Sequence, residues 1–310
     1  MKKNTKVLAA AVAMVLGAAT MTACGSSTST SSSAASTSSA SAESSSAAST
    51  SSASAESSSA ASTSSASAES SSDAEASGIE SIEFGTNAEF PPFEYISANG
   101  VIGEYDGIDM AIAAKIGEEL GAEVSINNME FDSLISSLES NQIDAVIAGM
   151  TVTEERQQSV NFSTPYYTAT QVMIVKEDSD IEKASDMEGK LISVVQGYTG
   201  ETCIQALQEE GLNLEYETFK KGTECIMELV NGKCDVVVID SATAQKYVED
   251  NEGLKIVEDP DEFGSEEYAI AVSKDNTELL DKINDVIDAM LEDGTISDIS
   301  ADYIENVEGE

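Results

Sequence analysis

The stretch FDSLISSLESNQIDAVIAGMTVTEERQQSVNFSTPYY, residues 131–167, holds one full repeat of the unit from which the fold is built. Ser133–Ser140 carries Leu134, Ile135 and Leu138 at helical spacing, which predicts an amphipathic helix with those three side chains inward. Asp144–Ala148 is a short apolar run of strand length, suited to a strand buried on both faces. Gly149 ends the run, Thr151 follows with a hydroxyl, and Arg156 follows with a guanidinium. A helix, a buried strand and a polar loop at the strand's exit form the signature of an α/β protein whose chemistry sits at strand ends.

The same alternation extends in both directions. Ser81–Thr86 reads as a strand, Asp109–Leu120 as a helix with Ile112, Ile116 and Leu120 on one face, and Glu123–Asn127 as a strand. Beyond the central stretch, Leu191–Gln196, Glu215–Phe219 and Cys234–Ile239 read as strands, separated by helices at Glu201–Glu209 and Thr223–Asn231. Thr277–Glu292 closes the pattern with Leu280, Ile283, Ile287 and Leu291 at helical spacing. Repeated βα units imply parallel sheets covered by helices. The two blocks separate near Thr168–Gln171, which implies two lobes. The cleft between such lobes is the place to look for a site.

The first 77 residues stand apart. Lys2, Lys3 and Lys6 precede an apolar run from Val7 to Ala19, and Thr22-Ala23-Cys24 follows. This is the layout of an export signal over residues 1–23, too short for a membrane span. Cys24 directly after Thr22-Ala23 resembles the acceptor of a bacterial lipobox, with an ordinary secretory signal as the alternative. The 13-residue unit SSSAASTSSASAE then occurs three times unchanged, at 31–43, 44–56 and 57–69. Ser, Thr and Ala cannot bury enough apolar surface to offset chain entropy, so residues 24–77 are expected to be a disordered tether or spacer, spanning roughly 40 Å root-mean-square.

Composition narrows the chemistry. The 310 residues carry 57 Asp plus Glu against 15 Lys plus Arg, a net charge of −42, which excludes a phosphate-binding surface for nucleic acid. No His is present, so neither His-activated nucleophiles nor imidazole metal sites are available. Arg156 is the only Arg among the 15 basic residues. Cys203, Cys225 and Cys234 allow at most one disulfide, and no pair has metal-binding spacing.

Candidate site residues lie where strands end. Asn87 to Tyr95 contains Pro91-Pro92, which stiffens the loop and leaves Phe90 and Phe93 either presented or plugged into the core. Phe131 stands at the exit of the second strand. Gly149 permits close backbone approach, and Arg156 is placed to clamp a carboxylate through paired hydrogen bonds, the alternative being a solvated surface charge. Gln196-Gly197-Tyr198-Thr199-Gly200 opens a helix, where free N–H groups favour an anion. Asp240 either caps the next helix or binds an ammonium. Together these groups suit a free amino acid: cationic and N–H groups for its carboxylate, a carboxylate for its ammonium, and rings for its side chain.

Residues 79–306 resemble the extracytoplasmic solute-binding proteins of polar amino acid ABC importers, bacterial solute-binding protein family 3. The resemblance is carried by GTNAEFPPFEY (85–95), GIDMAIAAKI (107–116), residues 131–167 quoted above, QGYTGE (196–201) and VVVIDS (236–241). It implies an α/β, two-lobed periplasmic-binding-protein-like (type II) fold with two interlobe crossings, residues 78–168 with 270–310 forming one lobe and residues 169–269 the other. The resemblance assigns the ligand carboxylate to Arg156, helped by Thr151 and Thr199. It assigns the ammonium to Asp240, the Gly149 carbonyl and Thr151, and the side-chain sandwich to Phe90 and Phe131. It also implies a lipid anchor on Cys24 at the outer face of the cytoplasmic membrane, a permease and an ATPase on separate chains, no cofactor, no metal and a monomeric chain.

Departures bear on the ligand. Asn87 stands where basic-amino-acid binders often carry an acid, and Ala148 where many relatives have Ser. Gln171 fits the arginine-binding branch, and arginine, or another basic or polar amino acid, is the expected ligand. Two other classes stay open from sequence: a cyclohexadienyl-dehydratase-like enzyme with Glu89 or Glu94 as its acid, and a surface sensor or adhesin.

Overall fold

The computed structural model describes residues 78–305. The export signal, Cys24 and the Ser/Ala repeats lie outside the described residues. No helix among the described residues is long and apolar enough to cross a membrane.

Two sheets define two lobes. The first runs in the order Glu123–Asn128, Ser81–Thr86, Ala145–Val146, Ala271–Ser273, Val160–Phe162. Its first three strands are parallel, and Ala271–Ser273 is antiparallel to both neighbours. The second runs Glu215–Phe219, Leu191–Val195, Val236–Asp240, Tyr167–Lys176, Leu254–Val257. Again three strands are parallel, while Tyr167–Lys176 is antiparallel to both of its neighbours. Helices fill the crossovers as the βα alternation requires. A small antiparallel sheet of Glu89–Phe90, Glu94–Ile96 and Tyr105–Asp106 sits in the first lobe.

The chain passes between lobes twice. Tyr167–Lys176 leads out, and Ser265–Tyr268 leads back. They pair antiparallel, with Tyr167 opposite Tyr268 and Ala169 opposite Glu266. The Tyr167 and Tyr268 rings stack at 5.6 Å, and Phe93 meets both edge-on, at 4.8 and 5.1 Å. The crossing is therefore a paired ribbon braced by three rings.

Most expected elements form, with local differences. The helix expected from Ser133 starts as a 3-10 turn at Phe131–Ser133 and continues as Leu134–Glu139, with Ile135 only half-buried. Thr277–Asp293 is helical, but its inward face is Leu279, Ile283, Val286, Ile287 and Met290. Leu291 is 42% exposed, so the stripe through Leu280 and Leu291 is rotated outward from the true one. The three Cys are all free thiols, and burial pushes the Cys225 and Cys234 thiols upward.

Gly107 shows why one position of GIDMAIAAKI admits no side chain. Its φ is +121°, and a Cβ there would lie 2.1 Å from the Phe93 carbonyl oxygen. Gly121 caps the same helix at φ +67° with open space around it. Gly107→Ala is expected to lower stability by more than about 2 kcal/mol, against about 1 kcal/mol for Gly121→Ala, in urea unfolding followed by circular dichroism.

Candidate functional site

The carboxyl ends of the parallel strands in both sheets face one cleft, the place where α/β sheets present ligand-binding loops. The cleft closes on a small cavity lined by Phe90, Phe131, Ala148, Gly149, Thr151, Arg156, Tyr198, Thr199 and Asp240. Seven of the nine residues proposed from sequence are among them. Asn87 and Gln171 stand behind the lining: Asn87 bonds the Met129 carbonyl (2.8 Å) and accepts from the Tyr198 hydroxyl (3.2 Å). Gln171 donates to Thr199 Oγ1 at 3.1 Å.

Arg156 begins the four-residue helix Arg156–Ser159 and is half-buried. Its Nη1 donates to the Thr151 carbonyl (2.7 Å) and its Nη2 to the Gly197 carbonyl (3.0 Å), so it spans the two lobes. The guanidinium lies over the Phe131 ring, 5.2 Å from the centroid. Burial holds it below its usual range, opposed by the charges of Asp240 and Glu266. No carboxylate among the described residues lies within ion-pair distance of it. Its charge therefore faces the cavity without an anion of the protein's own.

Asp240 ends the strand Val236–Asp240 and occupies the cap position of Ser241–Asp250, yet its side chain makes no capping bond. Oδ1 instead accepts from the Tyr268 hydroxyl at 2.5 Å. Of the two roles open from sequence, capping is excluded. Burial pushes Asp240 up to about 7; the charge of Glu266 adds to this, while bonds from Tyr268 and Gln171 oppose it.

Gly149 has φ +51°, and a Cβ there would come within 2.7 Å of the Phe90 ring. Glycine lets that ring lie against the strand-end backbone. The Gly149 N–H donates to Asp109 Oδ2 at 2.7 Å, leaving its carbonyl for another donor. Asp109 also accepts from the Tyr166 hydroxyl at 2.9 Å, and burial raises it to about 7. Glu94, fully buried beside it, is held well above the usual range by burial and by the Asp109 charge.

The rings divide the two roles left open above. Phe90 lines the cavity, whereas Phe93 packs into the ribbon of crossing strands. Tyr198, which sequence reasoning passed over, meets Phe90 edge-on at 5.3 Å and Phe131 at 4.6 Å. It fills space between the two rings expected to sandwich a side chain. Neither candidate acid of the enzyme reading lines the cavity: Glu89 pairs with Lys221 at 2.5 Å, and Glu94 is buried with Asp109.

Two sheets, two crossings and a polar cleft between them define a two-lobed binding protein. The chain belongs to the bacterial extracellular solute-binding proteins, family 3, whose model matches residues 82–306. It is 38% identical over 229 residues to ABC transporter arginine-binding protein 1 of Escherichia coli (strain K12), covering 73% of this chain and 91% of that protein. It is 31% identical over 224 residues to the arginine-binding extracellular protein ArtP of Bacillus subtilis (strain 168), covering 71% and 84%. Among solved structures, the arginine-, lysine-, histidine-binding protein ArtJ of Geobacillus stearothermophilus matches with a TM-score of 0.67 at 34% identity, over 73% of this chain and 96% of that one. An ancestral arginine-binding protein bound to glutamine matches with a TM-score of 0.66 at 40% identity, over 72% and 97%. The family is one of binding proteins, which sets the dehydratase reading aside.

The raised carboxyls give a pH dependence of definite sign. Asp109 and Asp240 keep their protons up to about 7 in the folded chain, whereas an unfolded Asp releases its own near about 3.9. Between those values the native state binds more protons, so stability falls as pH rises through the window and returns as pH drops. Ligand-free protein should melt at a higher temperature near about pH 5.5 than near about pH 8 in differential scanning calorimetry. A flat profile, or one rising toward pH 8, would contradict the protonated state of both carboxyls.

Proposed function

We propose that the chain binds a free L-amino acid, arginine before other basic or polar ones, between its lobes and delivers it to an ABC permease driven by a separate ATPase. The observation that carries this reading is that Arg156 and Asp240, from different lobes, line one cavity together with Thr151 and Thr199. A zwitterion satisfies both charges at once, and a buried charge left without its partner costs several kcal/mol, roughly 3–5. In this reading Arg156, with Thr151 and Thr199, holds the carboxylate. Asp240, with the Gly149 carbonyl and Thr151, holds the ammonium. Phe90 and Phe131 flank the side chain, and Asn87 and Gln171 support from behind. Arginine is favoured because relatives of this chain are named arginine-binding proteins. The glutamine bound to one of them supports a pocket that also admits polar side chains.

The lobes are taken as residues 78–168 with 270–310, and 169–269. Hinged closure about the paired crossings would bury the ligand. Cys24 is read as a lipidated N-terminus after removal of residues 1–23, the repeats as a tether, and the monomeric protein as working at the outer face of the cytoplasmic membrane.

A thermal-shift panel of the twenty amino acids with ornithine, citrulline and cystine tests the ligand class, since a ligand of the folded state raises apparent stability by mass action. Arginine should give the largest shift. Arg156→Ala should weaken arginine at least about a hundredfold by isothermal titration calorimetry; unchanged affinity would sink the carboxylate assignment. For the anchor, cells fed labelled palmitate should label the wild-type chain and leave Cys24→Ala unlabelled. Equal label on both would end the lipoprotein reading.

A further inference from the structure

Glu266 lies in none of the motifs that single out the site. It sits half-buried on Ser265–Tyr268, the returning strand, opposite Ala169. Its Oε2 accepts from Thr199 Oγ1 at 2.7 Å, from Thr151 Oγ1 at 2.9 Å and from Gln171 Nε2 at 3.4 Å. One carboxylate oxygen thus gathers hydroxyls from both lobes and an amide from the outgoing strand. Among the described residues no donor reaches Oε1, and no Lys or Arg lies within ion-pair distance.

The direction of these bonds matters. A hydroxyl has one proton, and Thr151 has given its own to Glu266, so toward the cavity its oxygen offers only lone pairs. Thr199 gives its proton to Glu266 and receives the Gln171 amide. Glu266 therefore leaves the Thr151 hydroxyl an acceptor suited to the ammonium, and any help that Thr151 and Thr199 give the ligand carboxylate in the amino-acid reading comes from their backbone N–H groups. Asp240 lines the cavity, whereas Glu266 stands behind the Thr151 and Thr199 that line it, and the two carboxylates act on one another electrostatically. Arg156, whose Nη1 and Nη2 bond the Thr151 and Gly197 carbonyls, pairs with neither carboxylate. A third carboxylate placed here would add repulsion, whereas an ammonium would relieve it and be received by oxygens already turned to accept it.

We infer that Glu266 is a specificity-determining positioning residue: from behind the cavity wall it turns the Thr151 hydroxyl into an acceptor for the ligand's ammonium and adds its charge to that of Asp240. It makes the cleft select amino acids over their desamino analogues. The inference rests on the amino-acid reading above. The competing role, a built-in stand-in for the ligand's carboxylate that must leave before binding, predicts the opposite sign: removing the charge would strengthen binding.

Isothermal titration calorimetry on the full-length protein separates these roles. The probes are L-arginine and guanidinovalerate, which is arginine without its α-amino group. Glu266→Gln keeps the shape and acceptor oxygen and removes the charge. It should weaken arginine at least about tenfold and leave guanidinovalerate within about twofold. Glu266→Asp, which keeps the charge, should retain part of the preference for arginine and serves should the Gln variant not fold. Arginine affinity unchanged or raised in the Gln variant, or an equal loss for both probes, overturns the inference. A wild-type protein that binds no member of the amino-acid panel removes the functional reading itself. One that binds a different amino acid is tested with that amino acid and its own desamino analogue.

Discussion

Tyr167–Thr170 and Ser265–Tyr268 run antiparallel past each other, and every feature of the cleft depends on that short ladder. Two single-stranded connections would let the lobes swivel independently. A hydrogen-bonded pair restricts them to bending together, so residues far apart in sequence meet in a fixed register. Phe93, Tyr167 and Tyr268 brace the ladder with apolar contact where it would otherwise be thin.

The ladder also supplies chemistry. Tyr268 belongs to the returning strand but donates to Asp240 in the second lobe, drawing that carboxylate away from the helix it would otherwise cap. Asp109 does the corresponding work in the first lobe by taking the Gly149 N–H. In each lobe a buried carboxyl and a tyrosine hydroxyl meet close to the cavity wall, Asp109 with Tyr166 and Asp240 with Tyr268. The parallel is one of chemistry and not of sequence, since one carboxyl begins a helix and the other ends a strand.

Much of the fold was legible because its parallel strands are continuous apolar runs. Val236–Asp240 is buried throughout, and nothing but a sheet covered on both faces accounts for such a run between two helical patterns. Arg156 was legible through rarity. Less legible was anything set by contact between distant segments. Of the stripe read on Thr277–Asp293, Ile283 and Ile287 are buried and Leu291 is exposed, because apolar residues occur on more than one side of that helix and only packing chooses among them. Tyr198 and Glu266 were missed for a related reason. A tyrosine in a helix-opening loop and one acid among 57 carry no local mark of the cleft. Glu266 could have been found by asking what the returning strand must carry at the hinge, since EEY at 266–268 follows a loop and precedes a buried apolar run.

At the rim of the cleft Lys220 reaches Asp132 (2.8 Å) and Lys221 reaches Glu89 (2.5 Å), both across the lobes. A chain with 15 basic residues among 310 places two adjacent ones where they draw its halves together. Each exposed pair contributes little and weakens with salt. Salt therefore loosens the rim first and acts less on buried contacts that cross the lobes, such as the Tyr198 hydroxyl on Asn87, so ionic strength tunes one grip between the halves and not the other.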